Sequence, residues 1–329
     1  MKDLLRTADL SAADLSLLLD LSDDFKADQL LQYGALKGST VVLYFGKPST
    51  RTRLSFEAAV AALGGIPSSV GPADLQLSRG ETIEDTAKIV SRYAKAFVIR
   101  TFAHDDVRLV AEAASIPVIN ALTDEHHPCQ SVADVLTLRQ QFGTLKGLKV
   151  AFVGPGNNVV HSLAEACALS GIDLTIASPP GYQPNPTIVA GAQALAQAHG
   201  GSVTLMTDPM TAVAGAAAVY TDTWVSMGDS EAQRADRFAA LAPYKVGPQL
   251  MKAASKEAIF MHCLPAHRGE EVLSDVIDGP QSVVFDQAEN RMHTAQALLY
   301  ALKSGMLTGA TPATEPAAVG TGAPAAVGD

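Results

Sequence analysis

Residues 40–57 read TVVLYFGKPSTRTRLSFE, and this stretch carries the first decision about the fold. An apolar, β-branched run (40–45) is followed by a Gly-Lys-Pro turn and then by Leu54, Phe56 and Val60 at helical spacing, so the segment reads as strand, turn, helix. Similar runs recur at AFVIR (96–100), IPVINA (116–121), KVAFVG (149–154), DLTIAS (173–178), SVTLMT (202–207), AAVYTDT (217–223), AIFMHCLP (258–265) and SVVFDQ (282–287). Helical-length segments such as SVADVLTLRQQF and VVHSLAEACAL lie between most of them. Alternation of this kind predicts βαβ units, hence an α/β chain with mostly parallel sheets flanked by helices.

The chain has 329 residues, long for one core and comfortable for two. GTLKGLK (143–149) reads as a connector, with roughly four strands before it and five after. The expected division is a first domain over 1–142, a second over 150–291, and a substrate cleft between them. A C-terminal helix at about 292–306 is expected to pack back on the first domain. The segment from Gly309 to Asp329 is built of Ala, Gly, Pro and Thr without periodicity and is expected to be disordered.

A net charge of −10 argues against a general nucleic-acid binder, whose affinity needs many cationic contacts. An arginine cluster in such a chain reads as a site for one small anion. The opening MKDLLRTADL is no secretory signal and no apolar run is long enough to span a bilayer, so a cytoplasmic protein without membrane contact is expected. Cys129, Cys167 and Cys263 are too few and too scattered for a disulfide framework or a CxxC metal site.

Ser49, Thr50, Arg51, Thr52 and Arg53 place three hydroxyls and two guanidinium groups at one helix start. Ser49 or Thr50 can cap that helix, and hydroxyls, free N–H groups and a guanidinium fork together suit a phosphate. A capped helix with exposed arginines is the plain alternative. A Walker loop is excluded because GxxxxGK[ST] is missing. Arg100 ends a strand, His126 to Gln130 (HHPCQ) follow another, and His262 to Pro265 (HCLP) end a third. Ligands of open parallel sheets sit beyond the carboxyl ends of strands, so these segments converge on one cleft.

The motifs STRTR, HPCQ and HCLP, occurring in this order, resemble the carbamoyl-phosphate signatures of the aspartate/ornithine carbamoyltransferases, and DTWVSMGD (222–229) resembles their ornithine-side loop. The resemblance runs from the first helix to about Leu307. It implies transfer of a carbamoyl group from carbamoyl phosphate to the side-chain amine of ornithine, giving citrulline and phosphate within arginine biosynthesis, with no cofactor and no metal. By similarity Ser49, Thr50, Arg51, Thr52, Arg100, His127, Pro128, Cys129, Gln130, Cys263, Leu264 and Arg291 bind carbamoyl phosphate. Gln76 matches a loop that reaches a neighbouring subunit's site, and Arg53 a structural position. Asn158, Asp222, Ser226 and Met227 match the ornithine positions, and Arg51, Arg100, His127, Asp222 and Cys263 carry the catalytic assignment. A homotrimer or a multiple of trimers is implied, with closure of the two domains around substrates.

Other readings stay open at this point. Another amine, putrescine or acetylornithine, could complete the same phosphate half, and a non-catalytic relative could bind carbamoyl phosphate alone. His262 beside Cys263 suggests a thiol–imidazole nucleophile, but neighbours on a strand face opposite ways. VGPGNN (153–158) lacks the third glycine of GxGxxG and is a weak dinucleotide signal. Pro155, where the family commonly has an acidic residue, and the Ala/Pro/Gly tail depart from the pattern.

Overall fold

A computed structural model of the chain describes residues 1–225 and 231–310, the side chains of residue 78 and of 231–233 excepted. Among the described residues nine strands form two parallel sheets. The first holds β1 (Thr40–Phe45), β2 (Ile66–Val70), β3 (Ala96–Arg100) and β4 (Val118–Leu122) in the order β2-β1-β3-β4. The second holds β5 (Lys149–Val153), β6 (Asp173–Ala177), β7 (Ser202–Met206), β8 (Ala218–Thr221) and β9 (Ile259–His262) in the order β7-β6-β5-β8-β9. All pairings are parallel, as alternating strands and helices dictate.

The helices of the first half are α1 (Ala12–Ala27), α2 (Arg51–Ala62), α3 (Ile83–Tyr93), α4 (His104–Ala113) and α5 (Pro128–Phe142). Those of the second are α6 (Asn158–Leu169), α7 (Pro186–His199), α8 (Pro209–Val213), α9 (Glu231–Leu241), α10 (Pro248–Ala253), α11 (Ser274–Ile277) and α12 (Val284–Lys303). Each sheet is covered on both faces. Leu43, Val98 and Ile119 pack toward α1, α2 and α12, while Phe97, Ile99 and Val118 pack toward α3 and α4. The second sheet likewise splits its strand residues between two buried clusters. The last helix, α12, packs on α1, α2 and α5. Among the described residues no helix is long and apolar enough to cross a membrane.

Two strand assignments change. IPSSV (66–70), not expected as a strand, is β2 at the sheet's edge, paired with β1 only. Its Pro67 and two serines hide it from a hydrophobic pattern, and an edge strand tolerates a missing N–H. SVVFDQ (282–287), expected as a strand, is a single bridge from Ser282 to Phe260 followed at once by α12. There Val284, Gln287 and Arg291 are buried on one helix face, so the apolar pair was the start of a 3.6-residue period rather than of a 2-residue one.

In both sheets the carboxyl ends of the strands, interior and edge alike, lead into the segments flagged by their polar residues. β1 runs into 46–53, β3 ends on Arg100, β4 leads to 123–130, β5 to the glycine loop, β8 to Asp222 and β9 to Cys263.

Candidate active site

The start of α2 carries the first group of donors. Thr50 is the N-cap residue, but contrary to the expectation neither its hydroxyl nor that of Ser49 caps the helix. Thr50 has helical backbone angles (φ −89°, ψ −62°), which turn its side chain away from the N2 and N3 amides, whereas a capping residue is extended. Ser11, Thr82 and Asn157 show the extended arrangement and do cap their helices. The first amides of α2 therefore keep their donors available for an anion. Arg53 points away, paired with Glu57 at 2.9 Å on the exposed face.

Arg51, Arg100 and Arg291 gather above the first sheet. Arg53, Arg108, Arg139 and Arg268 each have a carboxylate partner. Among the described residues these three have none. Burial lowers the Arg100 guanidinium to about 10, and the Arg291 and Arg51 charges push the same way. Burial also lowers Arg51 and Arg291. All three stay protonated at neutral pH, so the protein concentrates positive charge there at an electrostatic cost. The buried Nε atoms of Arg100 and Arg291 have no hydrogen-bond partner among the described residues. An anion would offset that cost and satisfy such donors.

His127 is the N-cap of α5, with Pro128 at its first turn. Burial, and then the charges of Arg291, Arg100 and Arg51, push its pKa well below 6.5, so it is a neutral imidazole that can donate one hydrogen bond. Its backbone N–H donates to Ser162 Oγ at 2.8 Å, leaving the ring's donor to the cleft. Cys129 differs in direction. Its thiol faces Asn120 O (3.4 Å) inside the first core, and burial pushes its pKa to about 12, so this residue has only its backbone to offer the cleft.

Behind these groups runs a buried hydrogen-bond network that joins the two sheets. Arg291 Nη2 donates to Thr52 Oγ1 (3.1 Å) and its Nη1 to Gln130 Oε1. Gln130 and Gln287 each donate an amide N–H to Asp134 Oδ1, at 2.8 and 2.7 Å, and Tyr220 donates to Asp134 Oδ2 at 3.1 Å. Gln287 Oε1 in turn accepts the N–H of His262 at 2.9 Å. Because Thr52 accepts from Arg291, its hydroxyl proton is free to point at a ligand. Burial raises the Asp134 carboxyl to about 6.

The other wall is formed by Asp222 and Cys263. Cys263 Sγ lies 3.0 Å from Asp222 Oδ1, which also accepts the Thr223 N–H at 2.8 Å, while Asp222 Oδ2 accepts from Asn157 Nδ2 at 2.7 Å. Burial and the Asp222 charge hold the Cys263 thiol well above 9, so it is a neutral S–H donor. This removes the thiolate nucleophile, and His262 cannot activate it because both ring nitrogens are engaged, Nδ1 by Leu264 N–H (2.8 Å) and Nε2 by Glu271 (3.1 Å). Leu264 itself is held at φ 56°, a conformation that costs a branched residue about 1–3 kcal/mol, and a cis peptide bond joins it to Pro265. Arg51 lies within reach of the Asp222 charge, so the two walls border a common space.

Some flagged residues stand apart. Asn158 donates to Thr123 O at 2.6 Å and ties α6 to the β4–α5 loop, while its neighbour Asn157 makes the contact with Asp222. Gln76 is exposed beside the Leu77–Arg79 turn, and no hydrogen bond joins its side chain to the cluster. Ser226 and Met227 lie outside the described residues. The dinucleotide reading of VGPGNN fails on space, since a Cβ on Gly156 would sit 2.1 Å from Pro184 N. The glycine admits the chain's own 182–184 backbone.

Asp134, Tyr220 and Gln287 carry the network and Asn157 holds Asp222, four roles that sequence reasoning misses. The signal present was a lone acid in the apolar helix SVADVLTL and an Asn pair after two glycines.

Two family models cover the chain. Residues 2–140 match the aspartate/ornithine carbamoyltransferase carbamoyl-P binding domain, and residues 146–302 match the aspartate/ornithine carbamoyltransferase Asp/Orn binding domain. The chain is 57% identical over 264 residues to the ornithine carbamoyltransferase of Symbiobacterium thermophilum, covering 80% of this chain and 85% of that one. It is 49% identical to that of Bacillus subtilis, over 92% of this chain and 93% of that one. Among solved structures, ornithine carbamoyltransferase from Pyrococcus furiosus superposes with a TM-score of 0.88 at 48% identity, over 92% of this chain and 96% of the other.

Proposed function

As a chain that belongs to the aspartate/ornithine carbamoyltransferase family, the protein is an enzyme of carbamoyl transfer, and we propose that it works by direct attack of the ornithine side-chain amine on carbamoyl phosphate. The observation that carries this reading is the set of three arginines, without a carboxylate partner among the described residues, facing a neutral thiol and a buried carboxylate.

Arg51, Arg100, Thr52 and the free amides of α2, with Ser49 and Thr50, hold the phosphate, and Arg291 is fixed between Thr52 and Gln130 to add its charge. As the amine nitrogen bonds to the carbamoyl carbon, negative charge moves onto the carbonyl oxygen. Donors set around that oxygen lower the barrier by about 2.7–4 kcal/mol each in comparable sites. Arg51, Thr52, Arg100 and neutral His127 are those donors. The carbon–oxygen bond to phosphate then breaks, Arg51 receives the charge on the departing oxygen, and the attacking nitrogen releases a proton. No bond to the protein forms.

The amine must react unprotonated, at a cost of roughly 4.6 kcal/mol at pH 7 for an alkylamine of pKa about 10.4. Asp222 and Cys263 form the polar wall beside it. Cys263 contacts the side-chain amine, and Asp222 receives the α-ammonium group or the proton passed along Cys263, which ranks ornithine above putrescine. Asn158, Ser226 and Met227 complete that half of the reading.

On this reading residues 1–142 with the C-terminal helix bind carbamoyl phosphate, residues 150–291 bind ornithine, and the two parts close around the substrates. The site is completed in a cytoplasmic homotrimer by Gln76 of a neighbouring copy. Calorimetric titration of carbamoyl phosphate, with and without Arg100→Met, tests the anion half. Loss of binding in the variant supports it and unchanged binding refutes it. Release of phosphate at the full rate without any amine would refute direct attack. Sedimentation of a monomer at full activity would refute the shared site.

A further inference from the structure

His262 and Glu271 are both fully buried, and they stand at the head of a chain of bonds that ends in the backbone carrying Cys263 and Leu264. Glu271 Oε1 lies 3.1 Å from His262 Nε2 and also accepts the N–H of His267 at 2.6 Å. The Leu264 N–H points at His262 Nδ1 from 2.8 Å. An ionised carboxylate only accepts and a backbone amide only donates, so the ring between them has one consistent state, with its proton on Nε2 and a lone pair on Nδ1. The other tautomer would set a lone pair against the carboxylate and an N–H against an N–H. A doubly protonated ring would keep the second clash. Burial alone would raise the Glu271 carboxyl, but hydrogen bonds from His262 and from His267 N hold it below its ordinary range, so it is an anion.

The main chain of His262 is anchored as well, since its backbone N–H donates to Gln287 Oε1 at 2.9 Å. What the ring holds is the left-handed Leu264, a conformation that needs an outside restraint in a branched residue. Cys263, one residue earlier on the same turn, sets its sulfur 3.0 Å from Asp222 Oδ1.

We propose that Glu271 is a positioning residue for carbamoyl transfer: it fixes the tautomer of His262, whose Nδ1 pins the Leu264 N–H and so aims the Cys263–Leu264 turn at Asp222. Glu271 touches neither substrate and acts through His262. The proposal takes from the functional reading above only that this turn borders the reacting groups.

The test has a spectroscopic and a kinetic arm. In chain labelled with ¹⁵N-histidine, the signal lost in His262→Asn belongs to His262, and long-range ¹H–¹⁵N spectra show which nitrogen is protonated. The expected result is a bare Nδ1 in the native chain and a mixed or inverted tautomer in Glu271→Ala. A native His262 protonated on Nδ1 overturns the proposal whatever the enzyme turns over. In the kinetic arm, Glu271→Ala lowers kcat about a hundredfold, the scale of a small misplacement at a reacting centre, with carbamoyl phosphate binding retained. Glu271→Gln, whose amide oxygen still accepts from Nε2, loses less. His262→Asn, whose oxygen can take the place of Nδ1, loses less than His262→Gln, which keeps only the donor toward Glu271. Equal losses in the two His262 variants, or a wild-type kcat in Glu271→Ala, overturn it. Should Glu271→Ala not fold, the native spectrum and the His262 pair still decide. Absence of turnover by the native chain would defeat the functional reading and leave the tautomer to be read directly.

Discussion

Replacing Asp134 by Asn tests whether the buried network joining the two sheets is held by a carboxylate that is costly to ionise. Burial raises this carboxyl from 3.8 to about 6. A shift of about 2.2 units at 1.36 kcal/mol each amounts to about 3 kcal/mol. The sign follows from linkage: a folded-state pKa above the unfolded one favours folding where both states are protonated, below about pH 3.8. That advantage is lost as pH rises through about 6. About 2 kcal/mol of the change falls between pH 4.5 and 7.5. The amide introduced by Asp134→Asn cannot ionise. It keeps one oxygen for Gln130 and Gln287 and presents an NH₂ to the Tyr220 hydroxyl, a mismatch costing about 1–3 kcal/mol at every pH. The stability of Asp134→Asn relative to the native chain should therefore improve by about 2 kcal/mol from pH 4.5 to 7.5. Urea unfolding followed by the fluorescence of buried Trp224, the single tryptophan, measures it. A stability difference that stays constant over this range would refute the reasoning.

Two further substitutions report on the two walls of the cleft. Cys263→Ala removes the thiol that donates to Asp222, and a lost partner of about 1–3 kcal/mol corresponds to about 5- to 150-fold in kcat/KM for ornithine. Steady-state rates across pH check it, and an unchanged rate and pH profile would remove Cys263 from the mechanism. Gly156→Ala drives a methyl group into the 183–184 backbone and should destabilise the chain by about 1–3 kcal/mol or more, seen as a lower thermal midpoint. It should also raise KM for ornithine, because Asn157 next to it holds Asp222.

Much of this architecture was legible because hydrophobic period and chain turns agree. TVVLYF and AFVIR coincide residue for residue with strands β1 and β3. The failures have physical causes. Pro67 and two serines mask β2, which needs apolar character less because it lies at an edge. Val283 and Val284 look like a strand but open a helix, since the burial of Gln287 and Arg291 depends on partners more than a hundred residues away. The arginines and the HCLP turn were recognisable by type and place. Asp134 and Glu271 were not, because a carboxylate's role is set by which amides and rings meet it after folding. The capping of α2 could not be read either, since a Ser or Thr at a helix start caps only when its own backbone is extended.

The central claim is that the arginine cluster and the Asp222–Cys263 wall form one site for carbamoyl phosphate and ornithine. Citrulline formation by the purified chain, with carbamoyl phosphate and ornithine and with aspartate, putrescine and acetylornithine in parallel, tests it most directly. The expected result is saturable, stoichiometric release of citrulline and phosphate, with ornithine preferred by kcat/KM over every other amine. Preference for another amine, or carbamoyl phosphate binding without any carbamoylated product, would contradict it.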